Sequence, residues 1–500
     1  MTWALILAVI WGGGARAQFP ELTWQKFYGS EGADVPRRII AGPENTLFVA
    51  GAVPDAYGET DGYIARIRLN GQTVWSRRIE GKGNVEVRDM ALVNGGKELV
   101  FCGVSAAITA HPEDGGPIYG GDYLVGKMSL DGKLLFSKTY GGSLRDEAWA
   151  LAPIGADGAV VVGSSWSANG DVENKSGGLN DAWLLRVNQF GAKMTGRTEG
   201  GAKNDWAQTA APLADGGIVL AGFTNSEDWD GSESRHNGDV WMARYDFALK
   251  LVWRVIVRSP YEDMVYRVVE TRDGRIVAAG STFREQGKKQ FWIIETDKDG
   301  HLLSEKPFGG DGFEELTSIC ALRDGGFVFT GYSQYNTLAG PLIKGKRDLW
   351  VIRTDSKFRT LWQRTYGGPN QEEGVDVVEF RPGEFYVLGM KNNTFEADKR
   401  PRQNDFWVLK IKERTCTDME LSCVSNFNDF SVKVNEPIRF TNQSKHGERF
   451  KWEFGDGTTW DERHAVKKYT RPGIFVVKLH GYIGENCEDV FVYPKPITVE

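Results

Sequence analysis

The chain has 500 residues with 61 glycines, 17 tryptophans and six histidines, and it carries a formal charge of −7 at pH 7. That length exceeds one ordinary domain, and many glycines among many aromatic residues suit tight turns around aromatic cores, with little helical patterning anywhere. The acidic balance leaves no basic field for nucleic acid or anionic lipid, while cationic partners and neutral glycans remain open.

The chain begins with an apolar segment, Leu5–Trp11, followed by Gly12-Gly-Gly and the small-x-small triplet Ala15-Arg16-Ala17. This pattern predicts a secretory signal over residues 1–17 with cleavage after Ala17, although no Lys or Arg precedes the apolar part. The expected mature chain is soluble and secreted, periplasmic or on the cell surface. No later run approaches the ~20 apolar residues of a spanning helix, so no transmembrane segment is expected.

Seven copies of one segment follow, each with a line like Trp362-Gln-Arg-Thr-Tyr366-Gly367-Gly368, a Gly-ended apolar run and an Asp-x-aromatic strand. The first position of the signature falls at Trp24, Trp75, Phe136, Thr195, Trp253, Ser304 and Trp362, giving spacings of 51, 61, 59, 58, 51 and 58 residues by subtraction. That period suits a four-stranded propeller blade and is too long for leucine-rich or TPR solenoids. Within one copy, Ala148–Ile154, Ala159-Val-Val-Val-Gly163, Asp181–Val187 and Thr195–Gly201 read as four strands. The second strands are apolar at consecutive positions, which predicts burial on both faces. Large rings recur in the third strand at Tyr63, Trp183, Trp241, Trp292, Trp350 and Trp407, with Tyr123 one residue short of the pattern. At one depth in each blade they fill the wedge between sheets. The first copy starts with a lone fourth strand, Leu22–Tyr28, and the last supplies only three, within 374–411. Pairing these ends closes the ring without an open edge. The predicted fold is therefore all-β, with a seven-bladed β-propeller over 18–412.

The connections between second and third strands are long at 104–121, 164–180, 223–238, 332–347 and 390–404, and short at 52–60 and 281–289. In a propeller all of them emerge on one face, where long loops signal function. Tyr119, Trp166, Trp229, Tyr335 and Phe395 are the candidate ligand-binding rings there, able to stack on sugars or anchor a protein; packing within their own loops is the alternative. Two of these loops are acidic and glycine-bearing, and Asp171, Glu173, Asp228 and Asp230 offer oxygen ligands that would suit Ca²⁺, without completing an EF-hand. No other cofactor is implied. An acidic residue follows the Gly-Gly corner at Asp34, Asp146, Asp205, Asp263, Glu314 and Glu372, with Glu86 one place out of register. First strands line the channel, so these carboxylates are expected either to ring its mouth or to accept turn N–H bonds.

A change of composition at Lys412–Cys416 opens a second domain over 413–500. Of five cysteines, Cys102 and Cys320 read as buried thiols, while Cys416, Cys423 and Cys487 fall in this domain. An odd count allows at most two bridges; a Cys423–Cys487 disulfide is favoured because it would tie the ends of the module together. Phe440-Thr-Asn442-Gln-Ser444, Trp452-Glu-Phe454-Gly455-Asp456-Gly457-Thr458, Tyr469 and Gly473-Ile-Phe475-Val-Val477 occur in the order found in PKD domains, and Cys416–Glu500 resembles that family. The resemblance implies an immunoglobulin-like β-sandwich with Trp452 in its core, used as a spacer or weak contact in extracellular bacterial proteins. The repeat over Leu22–Lys412 is similar to one common in secreted and envelope proteins of bacteria that use PKD modules, which implies location but no activity.

No catalytic residue is assigned. The six histidines show no metal-ligand spacing, and neither a G-x-S-x-G elbow nor a phosphate-binding glycine loop is present. The expected function is non-enzymatic binding or scaffolding of an envelope protein or glycan through the loop face. A propeller carbohydrase and a structural subunit of an envelope or secretion assembly are the alternatives, the former requiring two carboxylates roughly 5 to 10 Å apart.

Overall fold

The run Ala159–Gly163 shows how consecutive apolar residues are used. In the computed structural model, Ala159 and Val161 enter one core with Val100, Tyr123 and Trp183, while Val160 and Val162 enter another with Leu220, Trp241 and Tyr245. A strand buried on both faces has no polar side to show, which removes alternation from its sequence. The structure describes residues 18–500 apart from 82, 107, 111–116, 157, 174, 176, 228, 230–237, 260, 286–287, 309–312, 335–344, 393–403, 416–418, 427–430 and 484–486.

Leu22–Ile411 form one compact unit in which, among the described residues, there are seven four-stranded sheets. Sheet 1 runs Val35–Gly42, Thr46–Pro54, Thr60–Arg68 and Thr73–Ile79. Sheets 2 to 6 repeat this order from the first strands Asn84–Val93, Asp146–Ile154, Asp205–Pro212, Asp263–Glu270 and Glu314–Ala321. Sheet 7 consists of Glu372–Arg381, Glu384–Asn392, Asn404–Thr415 and, as its outer member, the N-terminal strand Gln18–Tyr28. First strands of successive sheets lie against one another, and those of sheets 7 and 1 do likewise. Each core in this unit is shared by two neighbouring sheets; Ile39, Val49 and Tyr63 of sheet 1 meet Tyr386, Phe406 and Val408 of sheet 7. The arrangement is all-β and propeller-like.

At the outer edge of sheet 7, Trp24 packs on Tyr386 at 5.9 Å and Phe27 stacks on Trp407 at 6.4 Å, while Trp407 Nε1 donates to Gln25 Oε1 at 2.9 Å. Trp183, Trp241, Trp292, Trp350 and Trp407 are nearly or fully buried. In sheets 1 and 3 to 6 the ring residue pairs with the glycine that ends the second-strand run, as Trp183 does with Gly163. In sheet 2, Leu124 takes that place opposite Gly103, and Tyr123, opposite Val104, turns to the following sheet and packs on Trp183 at 4.5 Å. That inversion explains the spacing one residue short.

Every first strand also carries a β-bulge at one place, between Pro36 and Arg38, Val87 and Asp89, Ala148 and Ala150, Ala207 and Thr209, Val265 and Arg267, Leu316 and Ser318, and Gly374 and Asp376. Opposite the bulge, the glycine of the second strand presses on a first-strand carbonyl: a Cβ at Gly222 would stand 2.0 Å from the oxygen of Trp206, and one at Gly163 1.9 Å from that of Glu147. Backbone cannot step aside as a side chain can, so the bulge requires glycine. Gly222→Ala is expected to lower stability by about 1–3 kcal/mol in chemical denaturation, the range for overpacking.

The second compact unit comprises Lys412–Glu500 with residues 18–21. It holds a four-stranded sheet, Thr459–Trp460, Arg449–Glu453, Lys478–Ile483 and Cys487–Val492, and two three-stranded sheets. Phe440, Trp452, Phe454, Tyr469 and Phe475 form its core, where Trp452 Nε1 donates to the carbonyl of Glu462 at 3.1 Å. In the Gly455-Asp456-Gly457 turn both glycines are left-handed, at φ +76° and +87°. Asp456 between them accepts the Thr458 N–H at 3.1 Å and pairs with Lys467 at 2.6 Å.

The favoured Cys423–Cys487 bridge is not made. Cys487 is disulfide-bonded, whereas Cys423 is a free, buried thiol whose pKa burial pushes up to about 12. The sulfur of Cys487 is taken by another bond, which leaves Cys423, opposite Asn442 in a separate sheet, without a disulfide. Cys416 lies outside the described residues, as does the leader at 1–17. Cys102 and Cys320 are free thiols, the first fully buried and the second partly so. Titration of the unfolded, unreduced chain should find three thiols, matching Cys102, Cys320 and Cys423. No helix of the described residues is long and apolar enough to cross a membrane.

Candidate functional site

The corner acids sit inside the sheets. Asp34, Asp146, Asp205, Asp263, Glu314 and Glu372 show no exposure. Asp146 accepts the Gly142 N–H at 2.8 Å and the hydroxyls of Ser165 and Ser167, and Asp205 does the same with Gly201, Thr224 and Ser226. Asp34 binds Ser30 and Glu372 the Gly368 N–H at 3.0 Å. Burial raises the pKa of Asp146, of Glu372 and of Asp34, the last to about 6 with Ser30 opposing. None of the six lines the channel cavity, so they do not form a charged rim there, and Asp34, Asp146, Asp205 and Glu372 anchor turns.

What faces the channel is the residue after each corner acid and the extra residue of each bulge. Val35 and Arg37, Arg88, Glu147 and Trp149, Trp206 and Gln208, Met264 and Tyr266, Glu315 and Thr317, and Glu373 and Val375 line one cavity of about 620 Å³. All seven first strands contribute. Ser164, Trp166 and Asn180, at the second-to-third connection of sheet 3, also line it, so the cavity opens on the side where those connections emerge.

Its charges are ordered. On one side Arg37 pairs with Glu86, Glu86 with Arg88 at 2.8 Å, Arg88 with Glu147 at 3.3 Å, and Glu147 with Arg145 at 2.8 Å. The Arg88 guanidinium also lies 3.8 Å from the centre of the Trp149 ring. On the other side Glu315 accepts the hydroxyls of Tyr266 and Tyr332 and pairs with Lys289 at 2.8 Å, and Glu373 pairs with Arg347. Burial opposes the charge of Glu86 and of Glu315, yet the arginines and Lys289 outweigh it and hold both carboxyls below the usual range. Deeper, Asp376 is bound by Arg38 at 2.8 Å, Arg267 at 3.3 Å, Ser318 Oγ at 2.6 Å and the Ile39 N–H at 3.0 Å. Asp89 pairs with Arg38 at 2.8 Å and accepts the Leu151 N–H at 3.0 Å. These four charged residues come from sheets 1, 2, 5 and 7, and Asp89 and Arg267 also line the cavity.

The expected loop rings divide. Trp166 is 37 % exposed and borders the cavity, with its N–H donating to the Arg145 carbonyl at 2.9 Å. Trp229 packs edge-on against Trp241 at 5.1 Å under the Arg254 guanidinium, in the core between sheets 3 and 4, away from the cavity. Tyr119 ends the short strand Pro117–Tyr119, its side chain outside the described residues, as are Tyr335 and Phe395 entirely. Lys193 donates to the Asp171 carbonyl and pairs with Glu173 at 2.8 Å, while Asp228 and Asp230 lie outside the described residues. Among the described residues no three His, Cys, Asp or Glu side chains gather as a metal site.

No family model matches the chain, and no curated protein does. Solved structures resemble it at low identity. A protein of unknown function from Dyadobacter fermentans is 13 % identical over 79 % of this chain and 99 % of its own, with a TM-score of 0.48. The Pan2 WD40 domain of Neurospora crassa is 11 % identical over 79 % and 96 %, TM-score 0.46. The β-propeller domain of the Trilobed protease from Pyrococcus furiosus is 10 % identical over 75 % and 95 %, TM-score 0.39.

Proposed function

We propose that this chain is a non-enzymatic recognition protein working outside the cytoplasm. In this reading residues 1–17 are a cleaved secretory signal, Leu22–Ile411 a seven-bladed propeller closed by its N-terminal strand, and the C-terminal unit a PKD-like spacer. The observation that carries it is the cavity at the channel mouth, open on the loop side and lined by Trp149, Trp166, Trp206 and Tyr266 among arginines and amides. A preformed concave site of this composition binds ligands at small ordering cost. Glu315, which lines the cavity, has its carboxyl held low by Lys289 against the effect of burial and is a poor proton donor, which supports binding.

The test is binding of the full chain to a glycan array and, in parallel, photo-cross-linking from a probe at Gln208 in envelope extract, both with and without a calcium chelator. Binding should survive chelation and fall roughly tenfold in Trp149→Ala/Trp206→Ala, the loss expected for two stacking rings. Hydrolysis of an arrayed glycan, or binding indifferent to the double substitution, would replace this reading.

A further inference from the structure

We propose that the cavity takes a carboxylate-bearing glycan, an oligosaccharide containing uronate sugars; the proposal rests on the recognition reading above. Charge is the first argument. The chain Arg37–Glu86–Arg88–Glu147–Arg145 holds three cations and two anions, a surplus of one positive charge. The other carboxylates around the cavity have their own cations: Glu315 has Lys289, Glu373 has Arg347, and Asp89 and Asp376 have Arg38 and Arg267. A protein with a formal charge of −7 thus gathers a local positive excess at its one described channel cavity.

The excess has an address. The Arg145 side chain is 54 % exposed and, among the described residues, pairs with Glu147 through Nη2. Its remaining donors form a planar fork of the kind that grips a carboxylate with two parallel bonds. Trp166, whose backbone N–H donates to the Arg145 carbonyl, lines the same cavity.

Stacking surfaces are the second argument. Trp149 has the Arg88 guanidinium over one face at 3.8 Å, and Trp206 has the Phe223 ring stacked on it at 4.3 Å. Each is half-buried, backed on one face, and lines the cavity with the rest of its surface. Two braced indoles, with Gln208 and Asn180 nearby, suit sugar rings, whose C–H faces are apolar and whose hydroxyls need planar polar partners. An acidic peptide would use the arginine but has no comparable need for braced indoles.

The experiment measures tryptophan fluorescence and calorimetric affinity of the full chain for galacturonate, glucuronate and mannuronate oligosaccharides. Each is compared with its carboxyl-reduced form, in which the same linkage carries a primary alcohol. At least one acidic form should bind roughly ten- to a hundredfold more tightly than its reduced twin, as one charge-assisted contact predicts. The preference should shrink with added salt. Arg145→Gln should abolish it and Arg145→Lys keep part of it; Arg145 is exposed, so neither change threatens folding. Equal binding of acidic and reduced forms, or a preference that survives Arg145→Gln, overturns the proposal while leaving the recognition reading in place. If no oligosaccharide binds but an envelope protein cross-links to the cavity, the glycan proposal fails alone. If neither occurs, both fail.

Discussion

Asp376→Ala is expected to destabilise the propeller-like unit by about 3 kcal/mol, because removing one partner of a buried ion pair strands the others. Asp376 is 1 % exposed at its side chain and serves Arg38, Arg267, Ser318 and the Ile39 N–H, so one substitution leaves four donors to be satisfied by whatever water enters. Arg38 and Arg267 keep 23 % and 13 % of their side-chain exposure, which places the loss at the lower end of the range for buried pairs. Asp376→Asn should cost less, since its one oxygen can still accept from Arg38 and the Ile39 N–H, which share a single carboxylate oxygen in the parent. Burial disfavours the Asp376 carboxylate, but Arg38 and then Arg267 hold its pKa below the usual value. A folded pKa below the unfolded value of about 3.9 means that the contribution is complete above that pH and is lost as the pH falls through the folded value. Denaturant midpoints measured from pH 7 down to 3 should therefore show a smaller acid-side decline in Asp376→Asn than in the parent. A loss under about 1 kcal/mol in Asp376→Ala would mean that water already shields the cluster.

Removal of residues 18–28 is the second large effect. Sheet 7 would keep three strands and expose the ladder edge of Asn404–Thr415, and Trp407 would lose both the Phe27 ring and the Gln25 acceptor. An uncovered edge beside apolar rings invites pairing between chains, so the truncated protein should elute as soluble oligomers or precipitate. A peptide spanning 18–28 should restore the monomer when present during refolding. A truncated chain that stays monomeric with an unchanged denaturation midpoint would show that this strand does not hold the unit together.

Repetition made the architecture readable and hid the site. Strands were legible because each copy repeats the same demands: apolar residues for two flanking cores, a ring at one depth, and a glycine where the bulge brings a carbonyl close. Gly163, Gly222 and Gly331 were visible as run endings, but their reason, the bulge opposite, has no residue signature of its own. The corner acids stood out because they recur, and recurrence across copies is what a shared structural duty produces. The cavity residues do the reverse. One place after the corner the copies read Val35, Glu86, Glu147, Trp206, Met264, Glu315 and Glu373, and at the bulge they read Arg37, Arg88, Trp149, Gln208, Tyr266, Thr317 and Val375. Variation flanked by constancy was the available sign, and following the repeated carboxylates led one residue away from it. The disulfide was unreadable for another reason, since spacing along the chain does not encode which thiols meet in the fold.

Ion pairs among Arg38, Asp89, Arg267 and Asp376 join sheets 1, 2, 5 and 7 beside the central cavity. A polymer threaded past them would have to part these pairs, whereas a terminus or a side branch could enter from the loop side and leave them intact. Recognition by this protein would then count chain ends, so that its occupancy rises when a long polymer is cut into pieces even though the total mass of sugar is unchanged.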